Sequence, residues 1–207
     1  KVICCGCIHA PLYDDQGNKV DNQKCPFCRV PTPYTKEEAI EREKERAELD
    51  DPIANVNLGH GYFKGTNGYP QDYTKALELW HRAGELGCAG AYVNIGYAYT
   101  YGQGVLKDEE KASHYYELAA MLGHAQARYN LGILEEQRDN VDRALKHYMI
   151  AISGGGDSSS LDRIRKMYLN RLATKDDYTK ALQLYQAKSA QRDEAAAFDS
   201  EKYRYYK

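Results

Sequence analysis

Apolar and small residues recur at helical spacing along the middle of the chain, with polar residues between them. Four segments, DYTKALELW, DEEKASHYY, NVDRALKHY and DYTKALQLY, align without gaps, and each has an alanine four residues before an aromatic residue. This spacing places both side chains on one face of an α-helix. The pattern therefore predicts four helices that bury this face. The four pairs are Ala76 and Trp80, Ala112 and Tyr116, Ala144 and Tyr148, and Ala181 and Tyr185.

A second pattern, Asn-aliphatic-Gly, precedes three of these segments. It recurs after about 36 residues, a step that is typical of helical repeats. Each unit is therefore predicted to be a helical hairpin, in which small residues allow close approach and aromatic residues fill the space between hairpins. Because one hairpin cannot bury its apolar face alone, neighbouring hairpins must stack. The three occurrences are Asn57-Leu58-Gly59, Asn94-Ile95-Gly96 and Asn130-Leu131-Gly132.

The ends of the units also carry signals. Gly87, Gly123 and Gly155 follow the second helices, where glycine commonly ends a helix. The third unit joins its helices through EEQRDNVDRA, which contains no glycine. In the fourth unit LDRIRKMYL replaces the Asn-aliphatic-Gly segment, with Ile164 at the aliphatic position, and its more polar character is typical of a capping repeat.

The second unit carries a specific family resemblance. The stretch AYVNIGYAYTYGQGVLKDEEKASHYYELAAMLGHAQA resembles a Sel1-like repeat, a relative of the tetratricopeptide repeat with a longer Gly-rich loop between its helices. Here that loop is YGQGVLKD, and the first unit has the variant GTNGYPQD. The resemblance implies an all-α fold: a short right-handed α-solenoid of about four hairpins over residues 51–190. It also implies a protein-binding adaptor with no catalytic residues.

The repeated asparagines are candidates for partner binding. In tetratricopeptide domains the matching position lines a concave groove and hydrogen-bonds a bound peptide, and a side-chain amide can both donate and accept. The alternative is that each asparagine only ties neighbouring helices together, and a single sequence leaves both readings open. The residues assigned to this groove are Asn57, His60, Val93, Asn94, Tyr97, Tyr129 and Asn130.

The front of the chain contains a zinc-type pattern. Cys4-x-x-Cys7 and Cys25-x-x-Cys28 have the spacing of paired knuckles, and four thiolates complete a tetrahedral zinc site. On a zinc-ribbon reading these four cysteines share one zinc ion.

The same stretch is similar to the second half of a RING finger. CPFCR resembles the closing ligand pair of that family, and KVICCGC resembles its third pair, with Lys1 at the position of a histidine ligand. A lysine ammonium has no lone pair for a metal, so Lys1 cannot act as that ligand. On this reading the module is partial, because its first ligand pair and most of its second precede Lys1. The residues that would contact a ubiquitin-conjugating enzyme are Ile3, Pro26 and Arg29.

Composition narrows the function class. The net charge is -2, which gives no general attraction to nucleic acid or to an anionic membrane. Five of the six cysteines cluster at the front, which favours a metal module in a reducing, cytoplasmic compartment over a disulfide-bonded fold. No phosphate loop, nucleophile elbow or dinucleotide fingerprint occurs in the sequence.

The predicted organisation has four parts. A partial zinc module occupies residues 1–33, a charged linker helix 34–50, the repeats 51–190 and a charged helical tail 191–207. Thr35 and Glu38 form a capping box at the start of the linker helix. The predicted function is an adaptor whose solenoid binds a protein, fused to a RING-type module that in full length acts as a ubiquitin ligase. The alternative is a pure scaffold with a degenerate zinc module.

Overall fold

The structure is a computed structural model that describes residues 35–155 and 158–204. Every regular element in these ranges is an α-helix. The predicted zinc ligands and the three predicted conjugating-enzyme contacts lie outside the described residues, so those assignments stay predictions. The helices are α1 (Lys36–Glu48), α2 (Pro52–Lys64), α3 (Tyr73–Glu85), α4 (Ala89–Tyr101), α5 (Glu109–Met121), α6 (Ala125–Gln137), α7 (Val141–Ser153), α8 (Ser158–Leu169) and α9 (Lys175–Arg204).

The helices belong to two compact units, of which unit 1 ends at Leu86 and unit 2 begins at Gly87. In unit 1, α2 packs against α3 and against α1. In unit 2, α4 pairs with α5, α6 with α7 and α8 with α9. The all-α fold of four helical hairpins that the sequence predicts is therefore confirmed. The last helix, α9, continues without a break through the predicted boundary at residue 190.

Helix boundaries follow local sequence signals. The backbone N–H of Glu38 donates to Thr35 Oγ1 at 3.1 Å, and the N–H of Lys75 donates to Asp72 Oδ1 at 3.0 Å. These side chains satisfy N–H groups that have no partner inside the helix. Glycines with left-handed backbone follow α3, α5 and α7, as predicted, with φ of 87° at Gly87, 82° at Gly123 and 85° at Gly155.

Each of the first three hairpins contains one very close contact, between the glycine of the Asn-aliphatic-Gly segment and the aromatic residue of the second helix. A Cβ atom added to Gly96 would lie 2.6 Å from Tyr116 Cε1, and one added to Gly132 would lie 2.5 Å from Tyr148 Cε1. Gly59 faces the Trp80 ring in the same way.

The aromatic rings are buried by this contact, since Trp80 and Tyr116 are 2% exposed and Tyr148 is 0% exposed. Tyr116 and Tyr148 also belong to cores that reach the next hairpin, so the prediction that the rings fill the space between hairpins is incomplete: each ring also fills a gap inside its own hairpin. The physical reason is the glycine, whose missing side chain leaves room for a ring directly across the hairpin.

The hairpins of unit 2 share a continuous core. Tyr116 of α5 packs with Leu131 and Leu134 of α6, which joins the first hairpin of the unit to the second. Ile164 of α8 and Ala181 of α9 join the core around Tyr148. Ile164 is fully buried, so the fourth hairpin places it in the predicted aliphatic position.

The third turn, which lacks glycine, is held by a buried carboxylate. The side chain of Glu135 is 3% exposed, and it accepts from Asn140 Nδ2 at 2.9 Å and pairs with Arg143 Nε at 3.2 Å. Arg138 Nη1 lies 3.5 Å from the same carboxylate. Asp139 takes the left-handed conformation of the turn, with φ of 58°. These contacts replace the glycine loop of the first two repeats.

In unit 1, α1 is fastened to α2 by a partly buried ion pair. Arg46 Nη2 lies 2.6 Å from Asp51 Oδ2, and the Arg46 side chain is 4% exposed. Asp51 also caps α2 by accepting from the backbone N–H of Ile53. Burial alone would raise the pKa of Asp51, but the Arg46 guanidinium and the backbone donors lower that pKa overall. The linker helix is therefore part of the packed unit.

We predict that Gly96→Ala destabilises the protein while Gly90→Ala does not. A Cβ at position 96 must displace the buried Tyr116 ring, and such overpacking typically lowers the free energy of unfolding by about 1–3 kcal/mol. Gly90 also lies in α4, but there the nearest atom to an added Cβ is His124 Nε2 at 3.9 Å. Chemical denaturation monitored by circular dichroism measures both variants. Equal stability of the two variants would refute the role of the glycine-ring contact.

Candidate partner-binding surface

The two predicted groove residues of unit 1 are occupied by intramolecular contacts. Asn57 Nδ2 donates to Glu43 Oε1 at 2.8 Å, so this amide links α2 to α1. The ring of His60 meets the Trp80 ring edge-on, with centroids 5.5 Å apart. For Asn57 the structure therefore supports the alternative reading, in which the asparagine ties neighbouring helices together.

The corresponding residues of unit 2 are available for binding. The amide of Asn94 is half-buried on α4 and has no hydrogen-bond partner among the described residues. Three residues further on, the Tyr97 side chain is 44% exposed. Its ring contacts that of Tyr101, which is 62% exposed, with centroids 4.4 Å apart. An unpaired amide thus lies beside two exposed aromatic rings.

Two other predicted residues serve the core instead. Val93 is half-buried and packs against the cluster around Tyr116. Tyr129 is also half-buried, and its ring centroid lies 5.8 Å from that of Tyr148. Both side chains therefore contribute to the internal packing of unit 2.

Asn130 lies on α6 and bonds within its own helix, where its Oδ1 accepts from Gln126 Nε2 at 3.2 Å. Its side chain also interacts with the hydroxyl of Tyr116. The second amide of unit 2 is therefore partly engaged, unlike that of Asn94.

The Tyr116 hydroxyl interacts with residues of both α4 and α6. It lies 3.2 Å from Thr100 Oγ1 on α4. Burial raises the pKa of Tyr116 to about 12, with smaller contributions from Tyr101 and Tyr97 that also raise it and from hydrogen bonds with Thr100 and Asn130 that lower it. The hydroxyl stays protonated at neutral pH and can donate one hydrogen bond while it accepts another.

We define the α4–α6 face as Asn94, Tyr97, Tyr101 and Asn130. These side chains are two amides and two phenol rings, so this face offers hydrogen bonding and aromatic contact and contributes no carboxylate, ammonium or guanidinium group. Sequence reasoning missed Tyr101. The signal was present, because Tyr101 lies four residues after Tyr97 and seven after Asn94, on the same side of the helix.

The described residues contain no group of three or more His, Cys, Asp or Glu side chains that could hold a metal ion. The zinc prediction is unaffected, because its ligands lie outside those residues. Within the same ranges no helix is both long and apolar enough to cross a membrane.

Comparison with known families decides which repeat the hairpins belong to. The Sel1 repeat family model matches residues 52–88, 89–124 and 166–187. The chain is a Sel1-repeat protein. The hairpin of α6 and α7 falls between the matched ranges, yet its Gly132 and Tyr148 make the same close contact as their counterparts in the matched repeats. Its geometry is that of a Sel1 hairpin with a shorter turn.

Two curated relatives share part of the repeat region. The ERAD-associated E3 ubiquitin-protein ligase component HRD3B of Arabidopsis thaliana is 31% identical over 103 residues, which is 49% of this chain and 16% of the relative. Protein sel-1 homolog 2 of Rattus norvegicus is 44% identical over 70 residues, or 33% of this chain and 10% of the relative. The chain thus spans only a small part of the length of these relatives.

Two solved structures share the fold. A Sel1 repeat protein from Oxalobacter formigenes is 30% identical with a TM-score of 0.65, over 78% of this chain and 66% of that one. The protective antigen c5321 of uropathogenic Escherichia coli, which displays an SLR fold, is 28% identical with a TM-score of 0.63, over 73% of this chain and 33% of that one. Both likenesses support the all-α solenoid class.

Proposed function

We propose that this protein is an adaptor that holds a partner protein on the α4–α6 face. Sel1-repeat solenoids are protein-interaction scaffolds. On this face unit 2 exposes two aromatic rings beside an amide that makes no hydrogen bond within the described residues. The observation that carries the proposal is the Asn94 amide, which has no hydrogen-bond partner in the described part of the chain and lies beside exposed aromatic rings.

The chemistry of the face favours an extended, uncharged segment as ligand. An asparagine amide can donate to a peptide carbonyl and accept from a peptide N–H at the same time. Tyr97 and Tyr101 offer a flat apolar surface with a polar edge, a combination that is common in protein interfaces. The binding free energy would then come from hydrogen bonds and aromatic packing, so affinity should depend only weakly on salt.

The relatives are consistent with an adaptor. One of them is named as a component of a ubiquitin ligase, which describes a part that works with other proteins. For this chain the repeats would supply the recognition surface, and the chemistry would belong to whatever the chain binds or to its own front module.

We predict that Asn94→Ala and Tyr97→Ala each weaken partner capture without loss of helical structure. Neither side chain is fully buried, and Asn94 makes no internal hydrogen bond, so unfolding is not expected. Losing a hydrogen bond or an aromatic contact of this kind typically weakens binding by about 5- to 30-fold. Quantitative capture from cells of the source organism, compared with wild-type protein in parallel, measures the effect for each recovered partner.

The matched control is Gln183→Ala, which removes an exposed amide on α9. It should leave capture unchanged, and circular dichroism should be the same for all three variants. If capture by Asn94→Ala and Tyr97→Ala equals that of wild type, the α4–α6 face is not the binding surface. Strong weakening at 0.5 M salt would instead indicate a charged interface elsewhere.

We propose as a second function that the full-length protein is a RING-type ubiquitin ligase whose repeats recruit the substrate. Support comes from the spacing of Cys4, Cys7, Cys25 and Cys28 and from the likeness of CPFCR to a closing RING pair. Such a module performs no covalent chemistry. It would hold a ubiquitin-loaded conjugating enzyme in a reactive orientation through Ile3, Pro26 and Arg29. This positioning would accelerate the transfer of ubiquitin.

We predict that the full-length protein accelerates ubiquitin discharge from a conjugating enzyme. Cys25→Ser should abolish this activity by removing a zinc ligand, and Arg29→Ala should reduce it while the protein keeps its zinc. Cys88→Ser is the control, since Cys88 lies at the start of α4 and outside the front module.

Absence of discharge with every conjugating enzyme tested would contradict the ligase proposal and favour the scaffold. Zinc analysis of the 207-residue chain separates the two metal readings. One tightly bound zinc per chain would favour the ribbon, in which all four cysteines share a single ion.

A further inference from the structure

Unit 1 contains a cleft of about 520 Å³ that none of the functions above uses. It opens between α1 and the turn that joins α2 to α3. Two carboxylates, those of Glu37 and Glu41, and one ammonium group, that of Lys44, line it from α1. Two rings, Tyr62 and Tyr69, line it from α2 and the turn. The cleft therefore combines negative charge with an aromatic wall.

Tyr69 is held in this wall by a turn with two left-handed residues. Asn67 and Gly68 both have left-handed backbone, with φ of 58° and 83°, and the N–H of Tyr69 donates to Thr66 O at 3.1 Å. The Tyr69 ring rests against Gly61, where an added Cβ would lie 2.6 Å from Tyr69 Cδ2. The side chain is thus fixed in one position by its own turn and by α2.

The hydroxyl of Tyr69 is left without a partner. The residue is 8% exposed, and its Oη is buried with no hydrogen bond to any described residue. Buried hydroxyl groups are nearly always hydrogen-bonded in proteins. An unpaired one in the wall of a cleft indicates a place where a ligand supplies the missing partner.

The charge of the cleft favours a cation. Glu37 and Glu41 are one helical turn apart, so both carboxylates lie on the same side of α1. Burial, together with the nearby charges of Glu43 and Glu41, raises the pKa of Tyr69 to about 12. Lys44 Nζ pairs with Glu41 at 3.2 Å, but both side chains are well exposed, and an exposed ion pair of this kind is easily exchanged.

The rings are also suited to a cation. Tyr62 and Tyr69 lie 4.8 Å apart between centroids, and Lys75 Nζ lies 4.4 Å from the centroid of the Tyr62 ring. That contact is a cation–π interaction, so the ring already attracts positive charge. A metal ion is a poorer fit, because the described residues around the cleft offer no set of three metal ligands.

We propose that this cleft binds an arginine side chain of a partner protein. A planar guanidinium can lie against the edge of the tyrosine wall, bond a carboxylate with two parallel N–H groups and donate a further N–H to Tyr69 Oη. A lysine ammonium is a compact point charge and cannot make all three contacts at once. The cleft lies wholly within unit 1, so this inference does not rest on the α4–α6 face.

The experiment titrates the ¹⁵N-labelled 207-residue chain with N-acetylarginine amide and follows amide shifts by NMR. The expected result is a saturable response confined to residues 37–44 and 62–70. N-acetylcitrulline amide, which has the same shape without the charge, should give no saturable response. N-acetyllysine amide should bind at least about fivefold more weakly than the arginine probe, because it lacks the bidentate contact.

Variants test the assigned groups. Glu37→Gln combined with Glu41→Gln should weaken binding of the arginine probe by about tenfold, and Tyr69→Phe should weaken it by about threefold while it keeps the ring. Glu85→Gln, which removes a carboxylate at the end of α3, should leave binding unchanged. The proposal is overturned if the citrulline or lysine probe binds as well as the arginine probe. It is equally overturned if no probe gives a saturable response at the cleft, or if Glu85→Gln matches the double variant.

Discussion

The close contact between a glycine on one helix and an aromatic ring on the next is the constraint on which the repeats depend. Gly59, Gly96 and Gly132 each leave a gap that a ring fills, and the ring becomes almost fully buried inside its own hairpin. Because a packed interior tolerates little extra volume, the missing side chain of the glycine sets how closely the two helices approach. The hairpin is then a compact block, and the alanines around the ring allow the next block to pack against it.

This arrangement leaves the outward side of each first helix free to differ between repeats. The three asparagines occupy equivalent positions, yet their hydrogen-bond partners differ. Asn57 bonds Glu43 on α1, Asn130 bonds Gln126 in its own helix, and Asn94 has no partner within the described ranges. The repeat core thus carries stability, while the candidate binding face is centred on Asn94, whose amide no described neighbour satisfies.

The sequence predicts the hairpins well because their signals are local. The Ala-x-x-x-aromatic spacing shows which face of a helix is buried, and Ile164 falls in its predicted position even where the asparagine and glycine are absent. The same spacing cannot show that each ring also meets a glycine inside its own hairpin, because that contact depends on how closely the two helices approach. The use of each asparagine depends on tertiary neighbours such as Glu43. The Asn67-Gly68 pair is a sequence signal for the left-handed turn before Tyr69, but the cleft also needs α1 to pack beside that turn, and this tertiary contact is not visible in the sequence.

The most direct test of the central contact is a double-mutant cycle between Gly132→Ala and Tyr148→Leu, measured as free energies of unfolding. If the glycine is needed because the ring fills its space, the cost of the alanine should largely disappear once the ring is gone. We then expect a coupling energy of about 1 kcal/mol or more between the two positions. Additive effects, within about 0.5 kcal/mol, would contradict the account, because the glycine would then matter for a reason unrelated to the ring.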